Sequence, residues 1–571
     1  MRWYRVRADL ALCFVQGEFM KDLEKLLRAA GFVGNKVEID ERSELFVLSD
    51  VSREDFDCVV GLLSKDAKKT AENGIGENAF YFALSGDDFI GVRFYPKKRE
   101  IRLTCETGND YFSAFPEHEK GAQTAVPLLT QNRVACMSAD CGMSYVLRTA
   151  DGRFALVDGG MDDYEESERL YDLLCKQNAG SGKPVIAAWF ITHMHDDHTT
   201  VFCRLWKEHK DDIVLESLVY NIVPDKFNVK YPHEVFDALL PEIKAHGTAL
   251  VTARAGMKFS FAGLDIDMLY TPDDYLPNVF SNFNDSSLIF RADFAGRRIL
   301  FLGDAMPLSS DIVANRYEKN DLASEFLQVG HHGYGGGSDA LDTASDPETL
   351  LWPCPAFWYP SVRLWKSNDV LRNSPHIKHI LMAGFGSVTL DMTKPVEDAP
   401  KKAYNSGDTV YEEDFESKKR LVDLGYESVT GGATGLVPAK YGFETDAFGR
   451  YLAVSSDANS LIGIASQDTL AGLAGYEATF MLRAPKDAKI GIMAACGMPN
   501  EWQGEHTRWF ALAASEKPRA LTVKTDYKAH TLAITLDGKT HAFETADMCG
   551  GLYLALEKTQ TMLYHVKITA L

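Results

Sequence analysis

Three histidines and two aspartates fall within six positions in His193-Met194-His195-Asp196-Asp197-His198. Imidazole and carboxylate are the donors that Zn²⁺, Mn²⁺ or Fe accept at neutral pH. They follow Val185-Ile186-Ala187-Ala188-Trp189-Phe190, an apolar run whose length and composition predict a buried strand. Side chains two apart in an extended segment point the same way, so His193 and His195 can share one ion. Asp197 and His198 come where the chain reverses and can address a second ion nearby. A paired site of that kind holds a bridging hydroxide and clamps both oxygens of a displacement. The competing reading is a polar loop that happens to be rich in His and Asp. Three histidines in six positions behind a buried strand weigh against it.

Further segments add groups of the same chemistry. Arg298-Ile299-Leu300-Phe301-Leu302-Gly303-Asp304 predicts an apolar strand ending in a lone carboxylate. Such a group needs a partner to offset desolvation, and a bridging cation is the natural one. Gln328-Val329-Gly330-His331-His332-Gly333 sets two adjacent histidines before Tyr334 and three glycines, a loop flexible enough to shape a pocket.

Taken together, these segments resemble the metallo-β-lactamase fold superfamily. HMHDDH resembles its His-x-His-x-Asp-His signature, and Phe154-Ala155-Leu156-Val157-Asp158-Gly159-Gly160 resembles its upstream strand ending in Asp-Gly-Gly. The strand to Asp304 and the His331-His332-Gly333 loop lie where that family has its bridging Asp and late His-His-Gly. Asn284-Asp285-Ser286-Ser287-Leu288-Ile289 is similar to the Asn-x-x-Ser-Leu strand of the branch related to competence (ComEC-like) proteins and phosphorylcholine esterases. The resemblance spans about residues 129–394 and implies a central αββα sandwich. It implies that His193, His195 and Asp304 hold one ion and that Asp197, His198, His332 and Asp304 hold another, with Asp158 orienting ligating groups. Asp197, His331 and Asn284 are the candidate catalytic residues, His331 contacting the phosphate or leaving group; the reverse order of His331 and His332 is also open. Two features depart from the family. Thr199-Thr200 replace the apolar residue and glycines after the signature, and no equivalent of a further metal histidine is found, since His209, His233 and His246 sit in surface contexts. The count is therefore one or two ions, Zn²⁺ foremost, with Mn²⁺ or Fe as alternatives.

At 571 residues the chain is too long for one core. Its net charge of −21, from 81 acidic and 60 basic residues, repels a nucleic-acid backbone unless a basic strip exists. Short pieces such as Lys97-Lys98-Arg99 and Lys418-Lys419-Arg420 read as solvated faces. No stretch approaches the ~20 apolar residues of a membrane span, and the charged N-terminus lacks the core of a signal peptide. Ten scattered cysteines without CxxC spacing read as reduced thiols, which together with these absences predicts a cytoplasmic protein.

Residues 1–125 predict a small α+β domain, with helices from Phe19 to Ala30 and from Ser52 toward Lys68, and strands at 44–48, 79–84, 89–94 and 99–105. Residues 408–571 predict short alternating strands with Gly, Asn and Asp turns, an all-β, jelly-roll-like sandwich. Thr531 to Lys539 and Gly550 to Leu554 resemble concanavalin-type jelly rolls found beside glycan-active enzymes. Trp502, Trp509, Tyr451 and Tyr527 are candidates to stack on a sugar, although core packing is the commoner role of such aromatics. The aromatics between Trp352 and Tyr359 are candidates for a pocket wall, with core packing again the commoner role.

The functional expectation is a hydrolase that uses a metal-bound hydroxide. The resemblance favours a phosphoester, chiefly a phosphodiester, as the substrate. A lactonase or amidase using the same site, and a glycan- or partner-binding protein that keeps a structural metal, are the alternatives.

Overall fold

A computed structural model describes residues 19–114, 125–134, 142–162, 165–180, 182–397, 403–417, 420–429, 435–465, 470, 473–493, 507–544 and 551–571. The first unit is an antiparallel sheet of six strands, in the order Asn35–Asp40, Ser43–Ser49, Glu100–Thr107, Asp88–Tyr95, Asn78–Ser85, Lys69–Ile75. Helix Arg53–Leu63 starts at a capping box, in which Ser52 Oγ accepts from Asp55 N–H and the Asp55 carboxylate accepts from Ser52 N–H. It stops at Leu63, short of Lys68, because the following Ser-Lys-Asp buries nothing and tightens into a 3₁₀ turn. Phe56, Val59 and Leu63 pack with Leu23 and Leu27 on one face of the sheet. The two edge strands, NKVEID and KTAENGI, carry too few apolar residues to signal a strand.

The other face of this sheet is not free. Val37, Ile39, Leu45 and Val47 form a cluster with Val223, Leu276 and Phe280 from the middle of the chain. Beside it lies a buried ionic network. Arg93, with 0% of its side chain exposed, pairs with Asp273 and lies 3.2 Å from Asp274. Arg254 reaches Glu106 at 2.6 Å, Arg316 reaches Asp274 at 2.9 Å, and Arg102 donates to the Asp273 carbonyl at 3.0 Å.

The middle of the chain builds two sheets. One runs in the order Ala249–Thr252, Ser217–Tyr220, Val185–Phe190, Phe154–Val157, Tyr145–Arg148, Leu128–Gln131, Val388–Asp391. The other runs Lys258–Phe261, Leu264–Tyr270, Ile289–Phe294, Arg297–Phe301, Phe326–Gln328, Thr349–Trp352, His379–Met382. Their facing sides share a core in which Phe190 meets Phe290 at 5.3 Å and Tyr145 meets Phe301 at 5.3 Å between ring centroids. The outer side of the first sheet carries Leu156, Trp189 and Leu218 against helices Glu166–Gln177, Asp196–His209 and Glu234–Ala245. Strand Val185–Phe190 pairs in parallel with both neighbours and is covered on both faces, which is why it reads as an unbroken apolar run. Trp352, Phe357, Trp358 and Tyr359 are buried in the core rather than forming a pocket wall.

The last unit consists of two antiparallel sheets whose inner faces, among them Leu452, Phe480, Ile490, Val523, Leu554 and Val566, share a second core. It is tied to the middle of the chain by Arg169 to Asp423 at 3.0 Å, Arg420 to Asp172 at 2.7 Å, and Phe357 against Tyr553 at 5.4 Å. Tyr451 is buried and donates to Glu444, Tyr527 packs on the core, and Trp509 is half-buried under Lys489. Trp502 and Lys418-Lys419 lie outside the described residues. Among the described cysteines, Cys105, Cys203 and Cys354 are buried, Cys58 and Cys175 are exposed, and all five are free thiols. No helix among the described residues is long and apolar enough to cross a membrane.

Candidate metal centre

The two central sheets deliver their strand ends to one place. Beyond Phe190 the chain stays extended, with Ile191 N–H donating to the Val219 carbonyl at 2.9 Å and the Thr192 carbonyl accepting from Leu288 N–H at 2.9 Å. His193 and His195 project from this segment, and helix Asp196–His209 then begins inside the signature, placing Asp197 and His198 in its first turn. The sequence places this helix around Val201 to Lys207; its start moves upstream because carboxylates favour the positive end of a helix. Asp304 arrives from the second sheet, past strand Arg297–Phe301 and Gly303. At Gly303, φ is +56° and a Cβ would lie 2.8 Å from Thr192 Cβ, so only glycine lets the two strand ends approach this closely. His331 and His332 follow strand Phe326–Gln328 in left-handed conformations, φ 46° and 54°. Such backbone strain in non-glycine residues concentrates at functional sites.

The donor atoms converge. His332 Nε2 lies 3.2 Å from Asp197 Oδ2 and 3.3 Å from Asp304 Oδ2. His198 Nε2 lies 3.2 Å from the same Asp304 oxygen and 3.6 Å from Asp197 Oδ2. His193 Nε2 is 2.9 Å from His195 Nδ1 and 3.9 Å from Asp304 Oδ2. Two donors each about 2.1 Å from one ion stand roughly 3.0–3.4 Å apart in octahedral or tetrahedral coordination. Asp197, His198, Asp304 and His332 therefore form one set that can hold a cation, and His193, His195 and Asp304 another.

Supporting contacts fix which ring nitrogen faces inward. His198 Nδ1 is 2.6 Å from Asp158 Oδ2, and His332 Nδ1 donates to the Pro353 carbonyl at 2.8 Å. In both rings Nδ1 carries a proton and Nε2 is the nitrogen turned to the centre. Asp158, held at φ 51°, also accepts from Thr192 N–H and Thr192 Oγ, each at 2.7 Å. Asp197 Oδ2 accepts from Gly142 N–H at 3.2 Å, and Asp304 N–H donates to Ser287 Oγ at 3.0 Å. Among the described residues, His198 Nε2 and Asp304 Oδ1 are buried without a hydrogen-bond partner.

The electrostatics call for a cation. Asp158, Asp197 and Asp304 are buried, and among the described residues their ion-pair partners are histidines, with neither lysine nor arginine. Burial by itself lowers the pKa of His198, yet Asp304, Asp197 and Asp158 outweigh it and raise the imidazole well above its ordinary value. Burial, reinforced by His198 and His195, drives His193 well below its ordinary value. Burial would raise Asp304, but His332 and His198 hold it well below the usual carboxylate range. A divalent ion supplies the positive charge that these carboxylates demand. The residues present fit one.

Asn284 and His331 stand at the rim. Asn284 lies in the 3₁₀ turn Phe283–Ser286 that precedes strand Ile289–Phe294, not in the strand, and its Nδ2 is 3.0 Å from His331 Nε2. His209 pairs with Glu168, His233 with Asp237 and His246 with Asp211, all away from the centre. Two rim residues escape sequence reading. Tyr231 donates to Asp196 and sets its ring 4.3 Å from that of His195, while Phe283 stacks on His195 at 4.8 Å and lies 5.2 Å from Tyr231. Both come from irregular segments, where no periodicity marks a functional side chain.

No family model and no curated protein matches this chain. Among solved structures, a diphosphatase of the PhnP family aligns at 13% identity over 46% of this chain and 97% of its own, TM-score 0.28. The diiron β-hydroxylase CmlA from Streptomyces venezuelae aligns at 13% identity over 47% of this chain and 54% of its own, TM-score 0.28. The CBM22-1 xylan-binding domain of Paenibacillus barcinonensis Xyn10C aligns at 15% identity over 29% of this chain and 97% of its own, TM-score 0.20. At such TM-scores none of these likenesses decides fold or chemistry; the donor atoms of this chain do.

Proposed function

We propose that the chain is a metal-dependent hydrolase of the metallo-β-lactamase fold acting on a phosphoester, a phosphodiester above all. On this reading the two central sheets and their outer helices form the αββα sandwich over residues 129–394, between an α+β unit at 1–125 and a β-sandwich at 408–571. One observation supports it most: five inward donor residues converge on Asp304, and among the described residues the buried carboxylates of the centre have no lysine or arginine as partners. Two donor sets that share one carboxylate, Asp304, suit a paired catalytic site, whereas a structural zinc site is normally a single ion closed by four protein ligands. A divalent cation held here lowers the pKa of water to about 7 and polarises the scissile bond.

The protein's own groups do the rest. Asp158 and the Pro353 carbonyl keep His198 and His332 in the tautomer that binds, and Gly142 N–H steadies Asp197. Tyr231 and Phe283 flank His195 and keep water from that side. His331, half-buried at the rim with its Nδ1 hydrogen on the Tyr334 carbonyl and Nε2 beside the Asn284 amide, is the side chain that contacts the phosphate or leaving group. The net charge of −21 disfavours long nucleic acids but not small phosphoesters.

Hydrolysis of bis-p-nitrophenyl phosphate by the metal-loaded protein tests the substrate class, with a p-nitrophenyl monoester and a γ-lactone run beside it. Diester turnover that a chelator abolishes is the expected result. Lactone opening without phosphoester turnover contradicts the substrate while leaving the metal chemistry in place.

A further inference from the structure

We propose that the side-chain oxygen of Asn284 is a fourth donor to the cation held by His193, His195 and Asp304, an inference that rests on the metal-dependent reading above. His331 fixes how the Asn284 amide is turned. Its Nδ1 is 3.1 Å from the Tyr334 carbonyl, an oxygen that only accepts, so Nδ1 carries the hydrogen. Nε2 of the neutral ring is then an acceptor, and the Asn284 group 3.0 Å away must be its NH₂. The amide is thereby oriented, and Oδ1 faces elsewhere. That oxygen is buried and has no hydrogen-bond partner among the described residues. An orphaned buried carbonyl oxygen is costly, and native structures satisfy it with a donor or a cation.

Its surroundings favour the cation. Phe283, the preceding residue, packs on His195 at 4.8 Å and on His193 at 6.2 Å. A few residues on, Ser287 Oγ accepts from Asp304 N–H, and Leu288 N–H donates to the Thr192 carbonyl next to His193. Asn284 thus sits on a segment tied to both sources of the three-donor set. The other set already has four donors: Asp197, His198, Asp304 and His332. An amide oxygen added to two imidazoles and a carboxylate gives mixed N/O coordination. It is harder than a third imidazole would make it, which shifts preference toward Mn²⁺ or Fe²⁺ relative to Zn²⁺.

The test is a titration of the apo full-length chain with Co²⁺, Mn²⁺ and Zn²⁺, reading stoichiometry, affinity and the Co²⁺ visible spectrum. The proteins compared are wild type, Asn284→Leu, Asn284→Asp and Asn284→His. In Asn284→Leu one of two binding events weakens at least tenfold with a changed Co²⁺ spectrum, while the other stays within about twofold; Asn284→Asp restores it. Asn284→His shifts the Zn²⁺ over Mn²⁺ preference of that one site at least tenfold toward Zn²⁺, which keeps the test alive if the leucine variant does not fold. Wild-type affinities and spectra in both Leu and His variants overturn the inference and assign Oδ1 to the substrate. A wild type that takes up no cation sinks the metal-dependent reading itself, a different result from the one that fails Asn284.

Discussion

His198 Nδ1 lies 2.6 Å from Asp158 Oδ2, and this contact fixes which nitrogen of His198 meets the centre. Asp158→Asn preserves size and tolerates the left-handed backbone at φ 51°, since asparagine is among the residues that visit it. Its NH₂ only donates, so one of the two oxygens that accept from His198 and Thr192 is lost. Metal affinity measured by chelator competition should fall about 10–100-fold with circular dichroism unchanged. Unchanged affinity would show that Asp158 does not orient the ligand.

Cation binding should also hold the two central sheets together. His193 and His195 follow a strand of the first sheet, while Asp304 and His332 follow strands of the second. A ligand present at a thousand times its Kd stabilises the folded state by about 4 kcal/mol. For a unit of this size that corresponds to a Tm change of roughly 10 °C. EDTA should lower the thermal midpoint by that order, and Zn²⁺ or Mn²⁺ should restore it. A midpoint indifferent to chelation would mean the cluster holds no cation.

Much of this centre is legible in the sequence because its donors are concentrated. Four of the ligand positions fall in one hexapeptide, Asp304 ends a recognisable apolar strand, and His332 lies in a His-His-Gly loop. The central strands are legible for the same reason, being buried on both faces. What stays hidden depends on three-dimensional approach. Tyr231 and Asp196 are thirty-five positions apart and meet only once the loop before helix Glu234–Ala245 folds over His195. Strands Asn35–Asp40 and Lys69–Ile75 are held by their neighbours' hydrogen bonds rather than by their own apolar content. The first unit reads as a docking module without a ligand constellation. The partner of its sheet turns out to be the chain itself, through Arg93 and Arg102, which sequence pattern does not connect with Asp273 and Asp274, and Glu106, which it does not connect with Arg254.

That buried network yields a stability prediction. Arg93→Ala leaves Asp273 and Asp274 short of a countercharge, and removing one partner of a buried pair costs about 3–5 kcal/mol. The loop carrying those aspartates continues to Phe283 and Asn284, so metal affinity should weaken as well. Denaturant unfolding and metal titration of the variant check both. A loss below about 1 kcal/mol would show that the network rearranges freely.

Asp342 gives a pH prediction away from the centre. Burial, with Asp339 beside it, pushes its pKa up to about 7. An unfolded aspartate titrates near about 3.9, so between those values the folded state holds a proton that the unfolded state has released. Stability from this group is complete below about pH 4 and is lost as pH rises to about 7. Asp342→Asn should therefore melt with wild type at pH 4 and above it at pH 8. The ceiling is about 4 kcal/mol, and water reaching the half-buried side chain reduces it to about 1–2 kcal/mol. Equal midpoints at pH 8 would place the carboxyl in an ordinary environment.

The most direct measurement is metal content per chain by elemental analysis, paired with bis-p-nitrophenyl phosphate hydrolysis, for wild type and Asp304→Ala. Asp304 is common to both donor sets. The account predicts two ions per wild-type chain, fewer than one in the variant, and hydrolysis lost with them. A wild type that holds no ion, or an Asp304→Ala protein that keeps both ions and full turnover, would contradict it.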